Sequence, residues 1–183
     1  MNGFQGLDNL EELNLYGNKL IKIESLSFQH LNKLKKLTLR ENLISQIDLN
    51  GFQGLDNLEE LFLHRNKITK IVANSFQYLT KLKILDLKEN QIEQIESNGF
   101  QGLNNLEELN LMWNKLTKIE SNGFQNLNKL KKLNLEKNEI EQIETNGFQG
   151  LNNLEELFAN QLCTNEFNSS QNFKNKLKKS SYM

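Results

Sequence analysis

The stretch Leu106-Glu107-Glu108-Leu109-Asn110-Leu111-Met112-Trp113-Asn114-Lys115-Leu116 decides how this chain folds. Leu109 and Leu111 alternate with Glu108, Asn110 and Met112, the period of a short strand with one buried face. Asn114 follows at once and marks a turn. The same frame returns at Leu10, Leu34, Leu58, Leu82, Leu106 and Leu130, at a constant spacing of 24 residues.

Each unit continues in the same way after its turn. The first reads Leu10, Leu13, Leu15, Asn18, Leu20, Ile23, Phe28 and Leu31, and the fifth reads Leu106, Leu109, Leu111, Asn114, Leu116, Ile119, Phe124 and Leu127. Phe4, Phe28, Phe52, Phe76, Phe100, Phe124 and Phe148 form a column that predicts a phenylalanine spine opposite the strands. Segments such as Ser97-Asn98-Gly99-Phe100-Gln101-Gly102-Leu103 predict a short capped helical turn beside it. One such unit cannot close a core, whereas stacked units can. Stacking sets the strands side by side, roughly 4.8 Å apart, in a parallel sheet.

In these motifs the chain resembles the leucine-rich-repeat family, in the 24-residue class of Toll-like receptor ectodomains and small leucine-rich proteoglycans. The resemblance runs from Phe4 to about Leu162. It implies an α/β fold: a curved solenoid, or horseshoe, with a parallel β-sheet on the concave face and short helical turns on the convex face. It also implies that Asn18, Asn42, Asn66, Asn90, Asn114 and Asn138 point inward and bond backbone groups of their own turn and of a neighbouring unit. Buried turns need such partners, because their polar backbone groups are cut off from water. The expected organisation is a solenoid over residues 1–163, with six full repeats over 10–153 and partial repeats at both ends, then a polar basic tail over 164–183.

A second period spans two units. Odd units open with Glu11-Glu12, Glu59-Glu60, Glu107-Glu108 and Glu155-Glu156, and even units with Lys35-Lys36, Lys83 and Lys131-Lys132. Neighbouring strands should therefore meet with opposite charge, an arrangement that sets registry more than stability. Duplication of a two-unit block accounts for the same pattern. An acidic column, Glu24, Asp48, Glu96, Glu120 and Glu144, is broken by Val72. It reads as a solvated edge offset by Lys22, Lys70 and Lys118, with a cation-binding edge as the alternative.

The ends depart from the frame. Gly3 to Asn9 matches the back half of a unit, and Leu154-Glu155-Glu156-Leu157-Phe158 opens a seventh that Ala159 breaks. Thr164 to Met183 reads as a disordered tail, or, through Phe167, Phe173 and Leu177, as a makeshift cap. Terminal units need covering, so self-association through uncapped ends is a possible property. The resemblance implies an extracellular setting. A start without the pattern of a signal peptide, and Cys163 as the single cysteine, point instead to the cytoplasm.

Composition and chemistry narrow the function. With 22 basic and 23 acidic residues the net charge is −1, so nucleic acid is not an expected partner. No apolar run has the length of a membrane span, so no insertion is expected. His30 and His64, the two histidines, fall on opposite walls, Cys163 lies far from both, and no phosphate loop or metal spacing occurs. The expectation is a chain that is not an enzyme and needs no cofactor or metal. What varies is the inner wall, where Tyr16, Arg40, Phe62, His64, Arg65, Lys88, Met112 and Trp113 stand between the leucines. Aromatic residues beside arginine have the make-up of binding hot spots. These residues predict recognition of a protein partner on the concave face. The alternatives are a structural segment that stacks through its ends, and recognition of a small ligand or carbohydrate on the aromatic strip.

Overall fold

The computed structural model describes residues 3–159 and the strand Leu177–Lys179. Seven strands follow the repeat frame: β1 (Glu12–Asn14), β3 (Lys36–Thr38), β5 (Glu60–Phe62), β7 (Ile84–Asp86), β9 (Glu108–Asn110), β11 (Lys132–Asn134) and β13 (Glu156–Ala159). They pair in that order in a parallel sheet, and β14 (Leu177–Lys179) adds an eighth strand beside β13. The boundary expected at 163/164 falls outside the described residues, as do Cys163, Phe167 and Phe173. The register is that of the repeat, with Leu13 level with Leu37, Leu37 with Leu61, and Leu61 with Leu85.

Three two-stranded sheets lie beyond the asparagine turn: β2 (Lys22–Ile23) with β4 (Gln46–Ile47), β6 (Lys70–Ile71) with β8 (Gln94–Ile95), and β10 (Lys118–Ile119) with β12 (Gln142–Ile143). Each joins an odd unit to the even unit after it. The two-unit period of the sequence is thus a period of backbone pairing.

The coil is filled by the repeated apolar positions. Leu34, Leu37, Leu39, Ile44, Phe52 and Leu55 of the second unit are fully buried, as are their counterparts in the third and fourth units, while Leu10, Leu13 and Leu15 in the first are only partly buried. The phenylalanine spine is continuous from Phe4 to Phe148, with successive rings stacked 5.7–6.4 Å apart. From Asn42 to Asn138 the asparagine column takes the role the resemblance implies, whereas Asn18, in the first unit, is exposed and, among the described residues, bonds only its own turn. Asn66 donates through Nδ2 to the carbonyls of Leu39 (3.0 Å) and Leu63 (2.9 Å), and its Oδ1 accepts from the Ile44 N–H (3.0 Å).

The expected convex helical turns do not form: no helix occurs among the described residues. Chained i to i+3 turns replace them, as where the Leu103 N–H bonds the Phe100 carbonyl and the Leu106 N–H bonds the Leu103 carbonyl. In the even units the cause is backbone sign. In the fourth unit Asn98 has φ 62° and Gly102 has φ 96°, so just Gly99, Phe100 and Gln101 lie between two left-handed residues. A right-handed turn needs consecutive negative φ and cannot propagate there.

The charge pattern resolves into contacts. Lys35 bonds Glu11 (2.9 Å), Lys83 bonds Glu59 (2.6 Å), Lys131 bonds Glu107 (2.6 Å) and Lys132 bonds Glu108 (3.2 Å). Glu11 holds the Lys35 ammonium above its usual pKa, and Lys83 holds Glu59 below its own. The acidic column splits by parity. Even-unit Asp48, Glu96 and Glu144 reach back to the odd unit, accepting from the backbone N–H of Ser25, Ala73 and Ser121. They also pair with Lys22, Lys70 and Lys118. Val72 occupies the column in an odd unit, where no carboxylate performs this capping.

Candidate functional site

Side chains between the buried leucines point to the open wall of the sheet, because successive residues of a strand face opposite sides. A further column follows each strand in a fixed backbone state: Glu41, Arg65, Glu89, Trp113 and Lys137 have φ between 52° and 57°, and Gly17 has φ 67°. This left-handed turn throws each side chain outward at the rim of the wall.

Tyr16, Arg40, Phe62 and His64 come together. With Asn14, Lys36, Thr38 and Asp86 they line a hollow of about 420 Å³. The Arg40 guanidinium lies 4.4 Å from the centroid of the Tyr16 ring, and the Lys36 ammonium lies 5.5 Å from that of Phe62. Phe62 meets His64 edge-on at 6.4 Å. His64 Nδ1 stands 3.1 Å from Asp86 Oδ2, but without the angle of a hydrogen bond. Burial pushes the His64 pKa down, Asp86 opposes this, and Arg40 and Arg65 add to it.

Arg65 and Lys88 belong to an ion-pair chain along the rim. Tyr16 Oη donates to Glu41 (2.8 Å), and Arg65 bonds Glu41 (2.9 Å) on one side and Glu89 (2.8 Å) on the other. Lys88 closes on Glu89 at 3.1 Å. Hydrogen bonds from Tyr16 and Arg65 hold the Glu41 carboxyl below its usual range. The chain crosses four units and engages Arg65 through its Nε and one Nη.

Met112 and Trp113 line neither this hollow nor the next. Trp113 is 51% exposed, with the Lys137 ammonium 5.4 Å from its ring. A second hollow, of about 410 Å³, shares Phe62 and Asp86 with the first and runs over Ile84, Glu108, Asn110, Lys132, Asn134 and Phe158. Ile84 was not among the residues singled out from the sequence. The signal was present, because Ile84 stands where the other even units carry Lys36 and Lys132.

His30 lies on the convex side with its Nε2 buried and unpartnered. Among the described residues no cluster of His, Cys, Asp and Glu is arranged to hold a metal ion. No helix there is long and apolar enough to cross a membrane.

Comparison with known proteins agrees with this architecture. The model of the BspA-type leucine-rich-repeat region matches residues 1–126 and 69–182, in 6 copies. The crystal structure of a TLR13–ssRNA13 complex is similar at 32% identity and a TM-score of 0.83, over 86% of this chain and 22% of that one. The chain therefore spans about a fifth of that protein's length. No curated protein matches. Such repeat domains are general protein-interaction scaffolds, typically without catalytic activity. By the repeat model that covers it, the chain belongs to the BspA-type leucine-rich-repeat family.

Proposed function

We propose that this chain is a non-enzymatic recognition module that binds a protein partner on the concave wall of its solenoid. The observation that carries the reading is the pair of adjoining hollows floored by Phe62, with Tyr16, Ile84 and Phe158 around it. The leucine core does not need Phe62, since the same column holds Asn14, Thr38, Asp86, Asn110 and Asn134 in five other units. Aromatic residues in hollows rimmed by charge are what protein interfaces use as anchors. A protein fits better than a nucleic acid, because the rim alternates in sign and Arg65 is held by two carboxylates. The resemblance to Toll-like receptor ectodomains supports an extracellular setting for this recognition, with the cytoplasm as the alternative.

The repeat itself supplies fold-neutral test variants. Phe62→Asn copies Asn110 and Asn134, and Trp113→Lys copies Lys137. Captured proteins are compared between the wild-type chain, the double variant and a convex control, Gln53→Ala. The expected result is that a partner kept by wild type and control is weakened by about 2 kcal/mol or more in the double variant. Equal capture by all three, with unchanged circular dichroism, would overturn the concave-wall reading.

A further inference from the structure

We infer that the partner presents two anchors to the wall, a carboxylate in the first hollow and a bulky apolar side chain in the second. This rests on the concave-wall reading and adds the chemistry of the partner.

The first hollow is poised for an anion. Of its charged lining, Lys36 and Arg40 outnumber Asp86. Arg40 matters most. Its guanidinium is stacked on Tyr16 and approaches Glu41 no nearer than 3.6 Å, and its Nε is buried without a partner. No side-chain hydrogen bond of Arg40 exists among the described residues, whereas Arg65 in the next unit is bonded on both sides. A guanidinium held flat by an aromatic ring and lacking an acceptor matches the planar fork of a carboxylate. Lys36 is paired to Glu60 at 3.1 Å, with both side chains more than a third exposed. Such a pair is weak and leaves the ammonium free to turn.

The second hollow is apolar at one end, where Phe62 and Ile84 lie on neighbouring strands, and Phe158 lines its far end beyond Asn110 and Asn134. Ile84 faces Glu60 on one side and Glu108 on the other. The repeat would put a lysine at this place. Glu60 and Glu108 pair away from it with Lys36 and Lys132, so the isoleucine leaves an apolar surface between two ion pairs, which a bulky apolar side chain would cover. Arg40 and Ile84 lie two units apart, and the hollows extend further. The anchors therefore sit about 10–15 Å from one another at the strand spacing, the reach of three to five extended residues.

A displayed library of random dodecapeptides is selected against the full chain. Recovered peptides are then measured on wild type, Arg40→Glu, Ile84→Lys and Phe62→Asn. Ile84→Lys restores the residue type of the other even units, so the fold is kept. The expected result is enrichment of Asp or Glu three to five residues from Phe, Leu, Ile or Trp. Affinity should fall about tenfold or more in Arg40→Glu and in Ile84→Lys. Peptides lost in Phe62→Asn but indifferent to Arg40→Glu and Ile84→Lys would overturn the two-anchor inference and leave the concave wall in place. Peptides indifferent to all three variants, or an empty selection, would count against both.

Discussion

Gly102 packs directly onto the backbone of Gln77: a Cβ on Gly102 would stand 2.5 Å from the Gln77 carbonyl oxygen and 2.6 Å from its Cα. Gly54 meets Gln29 in the same way, and Gly150 meets Gln125. These glycines are all in even units, have φ between 95° and 98°, and give way in odd units to His30, Tyr78 and Asn126. The convex side therefore repeats every two units, like the small sheets and the charged residues. Gly102→Ala adds both a left-handed strain and a clash with backbone that cannot step aside. It should destabilise by about 2–4 kcal/mol, read by chemical denaturation. Gly17→Ala, with φ 67° and open space around it, should cost clearly less. Equal losses would mean that the close approach carries no weight.

The asparagine column is a structural element. Asn90 donates to the carbonyls of Leu63 and Leu87, each at 3.0 Å, and accepts from the Ile68 N–H at 3.1 Å. Alanine there strands three backbone groups in the core, so Asn90→Ala should lower stability by about 1–3 kcal/mol. An unchanged denaturation midpoint would contradict that burial.

Glu96 and Glu144 tie stability to acid. Lys70 and the Ala73 N–H hold the Glu96 carboxyl below its usual pKa, and the Ser121 N–H and Lys118 do the same for Glu144. A carboxyl depressed in the fold contributes stability that is complete above its unfolded value, about 4.3. That contribution is lost as pH falls through the folded value. Glu96→Gln with Glu144→Gln should melt below wild type at pH 7, and the two curves should draw together as pH falls below about 4.3 and through the folded values. A gap of constant size over the whole acid range would show that the carboxylate charge is not the cause. Val72→Glu, in an odd unit, should change the melting point little.

Registry is the work of the lysine ladder. Lys35 reaches back to Glu11 and Lys36 reaches forward to Glu60, with every one of these side chains more than a third exposed. Reversing Lys35 and Lys36 to Glu should shift the melting temperature slightly at low salt, and the shift should shrink with added salt. A large loss that salt leaves untouched would place these side chains in the core.

The repeat, the parallel stack, the leucine core and the phenylalanine spine were all legible before any coordinates. Periodicity of 24 residues encodes them directly, since each apolar column recurs wherever the coil must be filled. The asparagine column was legible through resemblance and through the need to satisfy buried backbone. The convex turn was misread. Ser97-Asn98-Gly99-Phe100 has the composition of a helix cap, yet Asn98 and Gly102 are both left-handed, and Gly102 lies against the backbone of the neighbouring unit. Local propensity cannot see that constraint.

The site divided along the same line. Which residues leave the core was written in the alternation of Leu61, Phe62, Leu63 and His64. Which of them meet depended on side chains from different units reaching across the sheet. Tyr16 and Glu41 are 25 residues apart and share a hydrogen bond, while Trp113 stands clear of both hollows. Periodicity determined the wall, because one buried face obliges the other to be open. Only the tertiary structure decided that Arg65 is hydrogen-bonded to Glu41 and Glu89 while Arg40 stands 3.6 Å from Glu41 without a side-chain hydrogen bond among the described residues, because such bonds depend on distance and angle, which composition does not carry.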